Sequence, residues 1–438
     1  MSKQKLAVLF ILFTLAGLLA FPTLLKAIPP RYAARLPEPL RQMSAPRDVV
    51  PLLPTVARPL AANELLQSTG NEGTTAVPVS APPTLTPPLV TGQTPKPTSP
   101  PTPTKTPTVT PVPLPQSARL EGVHHQFQEW NNCGPATLAM TLSYFGLTLT
   151  QSQTAAVLKP NPEDRNVSPW EMAAYVNNET DLKAINRVNG DLYTVRRLLA
   201  NDIPVILEIG IDPPGEFRWL GWYGHYLLVV AYDDALQQFW VYDSWFGTSE
   251  VPLENATSEG RVLTYDDVAE YWPHFNRNYI ALYRPEQANL AAEIIGTEMD
   301  DAVMWQNALE EVRGETAVSP DNAFLWFNLG TIYNALGQYK EAATAYDQAR
   351  SIGLPWRMLW YQFGPYEAYF QVGRYEDVLL LADTTLKDRP YFEESFYYKG
   401  LALAALGDTA AARDNLEKAA KFNPNFQPAA TALAELVK

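Results

Sequence analysis

The pattern of apolar and polar positions divides the chain into four stretches. Residues 6–25 form an uncharged, uniformly apolar run, and residues 37–115 show no period and hold 20 of the 39 prolines. Periodic elements begin at Gln116. Apolar spacing over 133–145 and 191–201 predicts short helices, and Ser168, Pro169 and Glu171 supply the cap, first-turn proline and third-position carboxylate of another helix start. The period then changes. PVILEIG, HYLLVVAY, FWVYDS and NYIALYR, between residues 204 and 284, are β-branched or aromatic runs bounded by Gly, Asp or Pro, as buried strands are. Helices first and strands second predict an α+β domain. After Pro285 only helical spacing remains.

The apolar run is long enough to cross about 30 Å of hydrocarbon as a helix. Lys3 and Lys5 ahead of it place the N-terminus in the cytoplasm, although Lys26, Arg31 and Arg35 beyond it reduce the asymmetry. Leu18 and Leu25 stand where signal cleavage after Ala20 or Ala27 would want a small residue. Residues 1–28 are therefore expected to anchor an extracytoplasmic protein to the membrane, with secretion after cleavage as the alternative. Residues 29–116 read as a disordered Pro/Thr-rich stalk, which at about 3.1 Å per residue in polyproline II could reach on the order of 100 Å.

Charge narrows the partners. Residues 1–116 carry 10 Lys/Arg against 4 Asp/Glu, residues 117–284 carry 11 against 21, and residues 285–438 carry 12 against 22. Two acidic folded regions disfavour nucleic acid. One cysteine and four histidines exclude an internal disulfide framework and leave little for structural zinc, so neither metal nor cofactor is expected.

Within residues 285–438, Trp326, Leu329, Gly330 and Tyr333 fit the tetratricopeptide pattern W-x₂-L-G-x₂-Y, followed by Gly337, Tyr339, Ala342, Tyr346 and Ala349. Gly337, Gly373 and Gly407 repeat at 36 and 34 residues. The expected units are 323–356, 359–392 and 393–426, with a capping helix over 427–438. The middle unit departs from the pattern, with Gly364 and Pro365 early in its first helix, and residues 289–313 form at best a divergent leading unit. Such a solenoid implies a protein partner.

The single cysteine, Cys133, precedes Gly-Pro at the head of a predicted helix. The thiolate is the reactive form of cysteine, and a helix N-terminus favours negative charge. Gly134 would let the backbone approach a substrate, whereas a small buried hydrophobe is the usual role of a free cysteine. A nucleophile needs a base. Of His124, His125, His225 and His274, only His225 opens a strand with a carboxylate partner in view. A hairpin over the three-residue loop 233–235 would set His225 directly opposite Asp243, about 4.5–5.5 Å apart at Cβ. His124 and His125 read as solvated loop residues, and His274 as a surface or packed residue. The aromatic stretch FRWLGWYGHY (217–226) reads equally as a substrate wall and as core.

The order Cys133, His225, Asp243, with Asp243-Ser244-Trp245 beside it, resembles papain-like cysteine peptidases. WNNCGPATLAM with GHYLLVV and VYDSWFG resembles, more narrowly, the bacterial bacteriocin-processing (double-glycine) peptidases, in a stand-alone exported branch. The resemblance covers residues 117–284. It implies a papain-like α+β domain, helices before an antiparallel sheet, joined to the tetratricopeptide solenoid. It makes Cys133 the nucleophile, His225 the general base and acid, Asp243 its orienter, and Gln128 the oxyanion donor, with Gln126 competing for that role. The function implied is an anchored cysteine peptidase working through an acyl-enzyme, its solenoid recruiting substrate or partner. An inactive peptide-binding adaptor and an acyl transferase with the same triad are the alternatives. No preference for Gly-Gly sites is carried over.

Overall fold

The computed structural model describes residues 17, 20–25, 40, 52–59, 61–66, 114–212, 221–249, 254–255 and 259–436. Most of the apolar run and of the proline-rich stretch lies outside these residues. Among those described, no helix is long and apolar enough to cross a membrane.

The α+β domain begins with strand β1 (Ser117–Arg119) and helices α1 (Cys133–Tyr144), α2 (Gln151–Leu158) and α3 (Pro169–Glu179). Then follow β2 (Lys183–Arg187), α4 (Leu192–Leu199), β3 (Val205–Ile211), β4 (Tyr223–Asp233), β5 (Gln238–Asp243), β6 (Arg261–Thr264), α5 (Tyr265–Tyr271) and β7 (Tyr279–Tyr283). Local chemistry sets several helix starts: capping boxes form at Thr150 with Gln153, Ser168 with Glu171, and Thr264 with Asp267.

The sheet is antiparallel throughout, in the order β2-β7-β3-β4-β5-β6, with β1 also pairing β4. Both faces are covered, which is why β4 reads as an unbroken apolar run. Val205, Leu207, Leu227 and Val229 pack with α4 and α5, while Ile206, Leu228 and Val230 pack with α1 and α3. Helix α6 (Ala288–Ile295) lies past residue 284, where the sequence put the domain boundary, yet its Ala291 and Ile294 bury into this same core.

The solenoid comprises α7 (Asp301–Val318), α8 (Ala323–Ala335), α9 (Tyr339–Ile352), α10 (Gly364–Gln371), α11 (Tyr375–Asp388), α12 (Glu393–Ala405), α13 (Thr409–Phe422) and α14 (Gln427–Glu435). In the middle unit the first helix is cut to eight residues and preceded by a 3₁₀ turn, Trp356–Trp360. The hydrophobic core of the solenoid does not end at its own helices. It takes in Trp222 and Phe275 of the α+β domain, with the Trp222 ring stacked on Phe275 and edge-on to Tyr361.

The stalk expectation is corrected for residues 52–66. Leu53, Ala62 and Leu65 are buried in the solenoid core. Leu53 N–H donates to the Leu354 carbonyl at 2.9 Å, and the Pro54 carbonyl accepts from Arg350 Nε at 2.9 Å. Proline's missing donor is no handicap there, because its carbonyl makes the contact. The apolar residues interspersed among the prolines provide the adhesion.

Where the two domains meet, Asp164 and Glu171 approach Glu393 and Glu394 of α12. Burial raises all four carboxyls, repulsion from the neighbouring carboxylates raises Asp164, Glu171 and Glu394 further, and Glu171 is pushed up to about 8 from its ordinary 4.5. A raised carboxyl keeps its proton in the folded state after the unfolded chain has lost it. Its stabilising contribution is full below about 4.5 and falls as pH rises to about 8. The thermal midpoint of the full-length protein should therefore drop between pH 5 and pH 8, and Glu171→Gln should shrink that drop. An equal drop in the variant would contradict the assignment.

Candidate active site

Cys133 is the first residue of α1, partly buried, and the turn before it is braced from several sides. Asn131 adopts a left-handed conformation, φ 57°. Lys159, itself buried, donates Nζ to the carbonyls of Asn131, Pro162 and Asp164 at 3.1–3.2 Å. Gln151 accepts from Glu129 N–H and donates to the Phe127 carbonyl. Neither Lys159 nor Gln151 stood out in the sequence, because a lysine that ties backbone carbonyls carries no local signature. Gly134 has a different use from the one expected. A Cβ there would sit 3.3 Å from Val167 and 3.5 Å from Met172 and Tyr226, so the glycine serves the packing of α1 onto the sheet.

His225 lies at the start of β4 and is almost fully buried. Its Nε2 is 2.8 Å from Asp243 Oδ1. The pairing is not the one expected. The turn spans residues 234–237, Asp243 stands opposite Leu227, and His225 is one diagonal step away on the same face. A bulge between Val229 and Ala231 makes this possible. Without it, the register from Asp233↔Gln238 to Ala231↔Trp240 would bring Asp243 opposite Leu228, on the other face.

Asp243 is completely buried. Oδ1 also accepts the N–H groups of Trp245 at 2.8 Å and Phe246 at 3.0 Å, and Oδ2 accepts Arg261 Nη2 at 2.9 Å. Burial alone would raise this carboxyl, but the charges of His225 and Arg261 and these hydrogen bonds hold it well below the usual carboxylate range. For His225 burial opposes the charge, while Asp243 and a hydrogen bond with Cys133 outweigh it and lift the imidazole to about 9. With Nε2 committed to Asp243, Nδ1 is the nitrogen left for the thiol. Arg261, on β6, was not foreseen, since the chain separating it from Asp243 gives no pairing signal.

Gln128 lines the cavity beside Cys133 and His225. Ser244 Oγ donates to its Oε1 at 2.9 Å, which leaves the amide N–H₂ available as a donor. Gln126 is spent elsewhere, donating to the Leu149 carbonyl and accepting from Gln151 N–H. His125 is no solvated loop residue: it is half-buried, with Nε2 2.8 Å from the Asp243 carbonyl. His274 is packed, stacked on Phe324 and accepting from Trp222 Nε1, and burial lowers it to about 4. Of the aromatic stretch 217–226, Trp222 is interdomain core and Tyr223 lines the cavity; residues 217–220 lie outside those described. Among the described residues no group of three or more His, Cys, Asp or Glu could hold a metal ion.

The cavity, about 140 Å³, has one wall formed by the solenoid. Arg357, Trp360, Tyr361 and Arg389 line it together with Cys133, His225, Gln128 and Arg165. The shortened first helix of the middle unit frees the 356–361 turn to reach the α+β domain, and Arg357 Nη1 donates to the Trp222 carbonyl at 3.0 Å. Gly224 admits it, since a Cβ there would come within 2.6 Å of Phe275 and 3.2 Å of Tyr361. The only sequence trace of this was the early Gly364-Pro365.

Residues 120–280 match the model of the Peptidase_C39 like family, and residues 325–352 and 393–426 match that of the tetratricopeptide repeat. Solved structures that align include a C39-like peptidase from Bacillus anthracis, 15% identical, covering 39% of this chain and 98% of that one with a TM-score of 0.30. A double glycine motif protease from an AMS/PCAT transporter, in complex with the leader peptide, is 16% identical, covering 38% and 92% with a TM-score of 0.24. No curated protein matches the chain. The chain thus joins a C39-like peptidase domain, carrying Cys133, His225 and Asp243, to C-terminal tetratricopeptide repeats.

Proposed function

We propose that the protein is an exported, membrane-anchored cysteine peptidase that hydrolyses peptide bonds through an acyl-enzyme, with its solenoid presenting the substrate or a partner. The observation that carries this reading is the buried His225–Asp243 hydrogen bond, with Cys133 and His225 lining the same cavity. Anchoring rests on Lys3, Lys5 and the uncharged run 6–25.

In the first step Cys133 Sγ attacks the scissile carbonyl carbon. An S–C bond forms, and the carbonyl electron pair moves to oxygen. Gln128 Nε2 and the Cys133 N–H, free at the head of α1, receive the developing oxyanion. His225 Nδ1–H gives its proton to the leaving nitrogen, the C–N bond breaks, and an acyl thioester remains. Water then loses a proton to His225 and attacks the thioester. The S–C bond breaks, and the acid product leaves with the thiol restored. Asp243 holds the imidazole ring and favours its charged form throughout.

Cys133→Ala should abolish hydrolysis of any peptide the wild type cleaves, with an unchanged thermal midpoint; retained cleavage would overturn the mechanism. Alkylation of the single thiol in the full-length protein should slow at least about tenfold in His225→Ala at pH 6. Equal rates in the two proteins would favour the adaptor reading. The basic limb of kcat/KM should lie near the His225 value of about 9, above which the imidazolium loses its proton. Asp243→Asn removes the charge that raises His225 while burial still lowers it, so that limb should move down by roughly 1 pH unit or more; a limb that stays in place would remove Asp243 from the assembly. Protease added to intact cells should digest the protein, and full protection would argue against export.

A further inference from the structure

We propose that the cavity beside Cys133 is a carboxylate subsite, built jointly by the peptidase domain and the solenoid, so that the favoured peptide carries an acidic group close to the bond being cleaved. This rests on the peptidase reading and names its substrate class. Three guanidinium groups converge there. Arg165 lies 4.4 Å from the Trp130 ring centre, and Arg165, Arg357 and Arg389 each lie 5.3 Å from that of Trp360. Such a gathering of like charges is costly in a partly desolvated space, and burial together with mutual repulsion weakens the hold of Arg165 and Arg357 on their protons. An anion in the cavity relieves that repulsion.

Donors are in place for it. Arg165 Nε, Arg389 Nε, Trp360 Nε1 and Trp245 Nε1 are buried without a hydrogen-bond partner, and all four residues line the cavity. Arg389 already pairs with Asp388 at 2.8 Å through Nη1, and Arg165 is held by the side chain of Tyr391. Their Nε edges remain for a ligand. Guanidinium groups suit a carboxylate because planar donors meet both oxygens. At about 140 Å³ the space takes a side chain or a chain end rather than a folded partner. The acid can come from a glutamate or aspartate side chain or from the terminal carboxylate of the peptide.

The test uses the full-length protein and its only thiol. Iodoacetate and iodoacetamide both form an S–C bond with loss of iodide, and they differ in carrying a carboxylate or an amide. The ratio of their rates in the wild type should fall about tenfold in Arg389→Gln and in Arg165→Gln, one variant in each domain, each confirmed folded by its thermal midpoint. A ratio unchanged in both folded variants overturns the subsite. If alkylation also ignores His225→Ala, the peptidase reading has failed; if it depends on His225, only the subsite has. Protection by short peptides then separates the sources. A Glu peptide protecting better than its Gln counterpart assigns the side chain, and a free acid protecting better than its C-terminal amide assigns the chain end. Equal protection in both pairs counts against the subsite.

Discussion

A carboxylate with no access to water lies at the centre of this molecule. Asp243 is satisfied by four donors from three parts of the chain: the His225 ring, the Arg261 guanidinium, and the N–H groups of Trp245 and Phe246 in the turn that follows it. A buried charge that loses a partner typically costs about 3–5 kcal/mol, so these groups are held to Asp243 as firmly as it is held to them. The turn after β5 wraps its oxygen, β6 is tied to β5 by a side chain as well as by its ladder, and the imidazole is fixed in rotation. Gly247 completes the turn with φ +96°, where a Cβ would collide with the Glu254 carbonyl.

Much of this was legible in the chain. Cys133 before Gly-Pro, a histidine opening a strand, and an aspartate closing the next one are local signals, and local signals survive into the fold. The register did not follow from them. A two-residue offset in strand pairing preserves the face, so His225 and Asp243 still met although the expected partners were wrong. The bulge near Val230 has no glycine or proline to announce it, because it arises where the two strands must accommodate both a four-residue turn and the buried carboxylate.

Long-range partnerships were invisible for a different reason. Arg261, Lys159 and the four carboxyls between the domains are ordinary charged residues in sequence, and their roles come only from what burial brings against them. The solenoid is the clearest case. Its first and third units follow the repeat pattern, and its middle unit breaks it with Gly364 and Pro365. The irregular unit, not the regular ones, supplies Arg357, Trp360 and Tyr361 to the cavity. A departure from a repeat pattern is where a second constraint has acted on the same residues.

The docking of residues 52–66 on the solenoid determines how a mechanical load would enter the protein. Tension applied from the N-terminal side meets the contacts of Leu53 and Pro54 with Leu354 and Arg350 before it can pass along the chain to β1. Those contacts lie beside the turn that lines the cavity, since Leu52 bridges Pro355, one residue from Trp356. A pull would therefore be felt first at the solenoid wall of the cavity, and the sheet that carries His225 and Asp243 would be loaded only after that seam had given way.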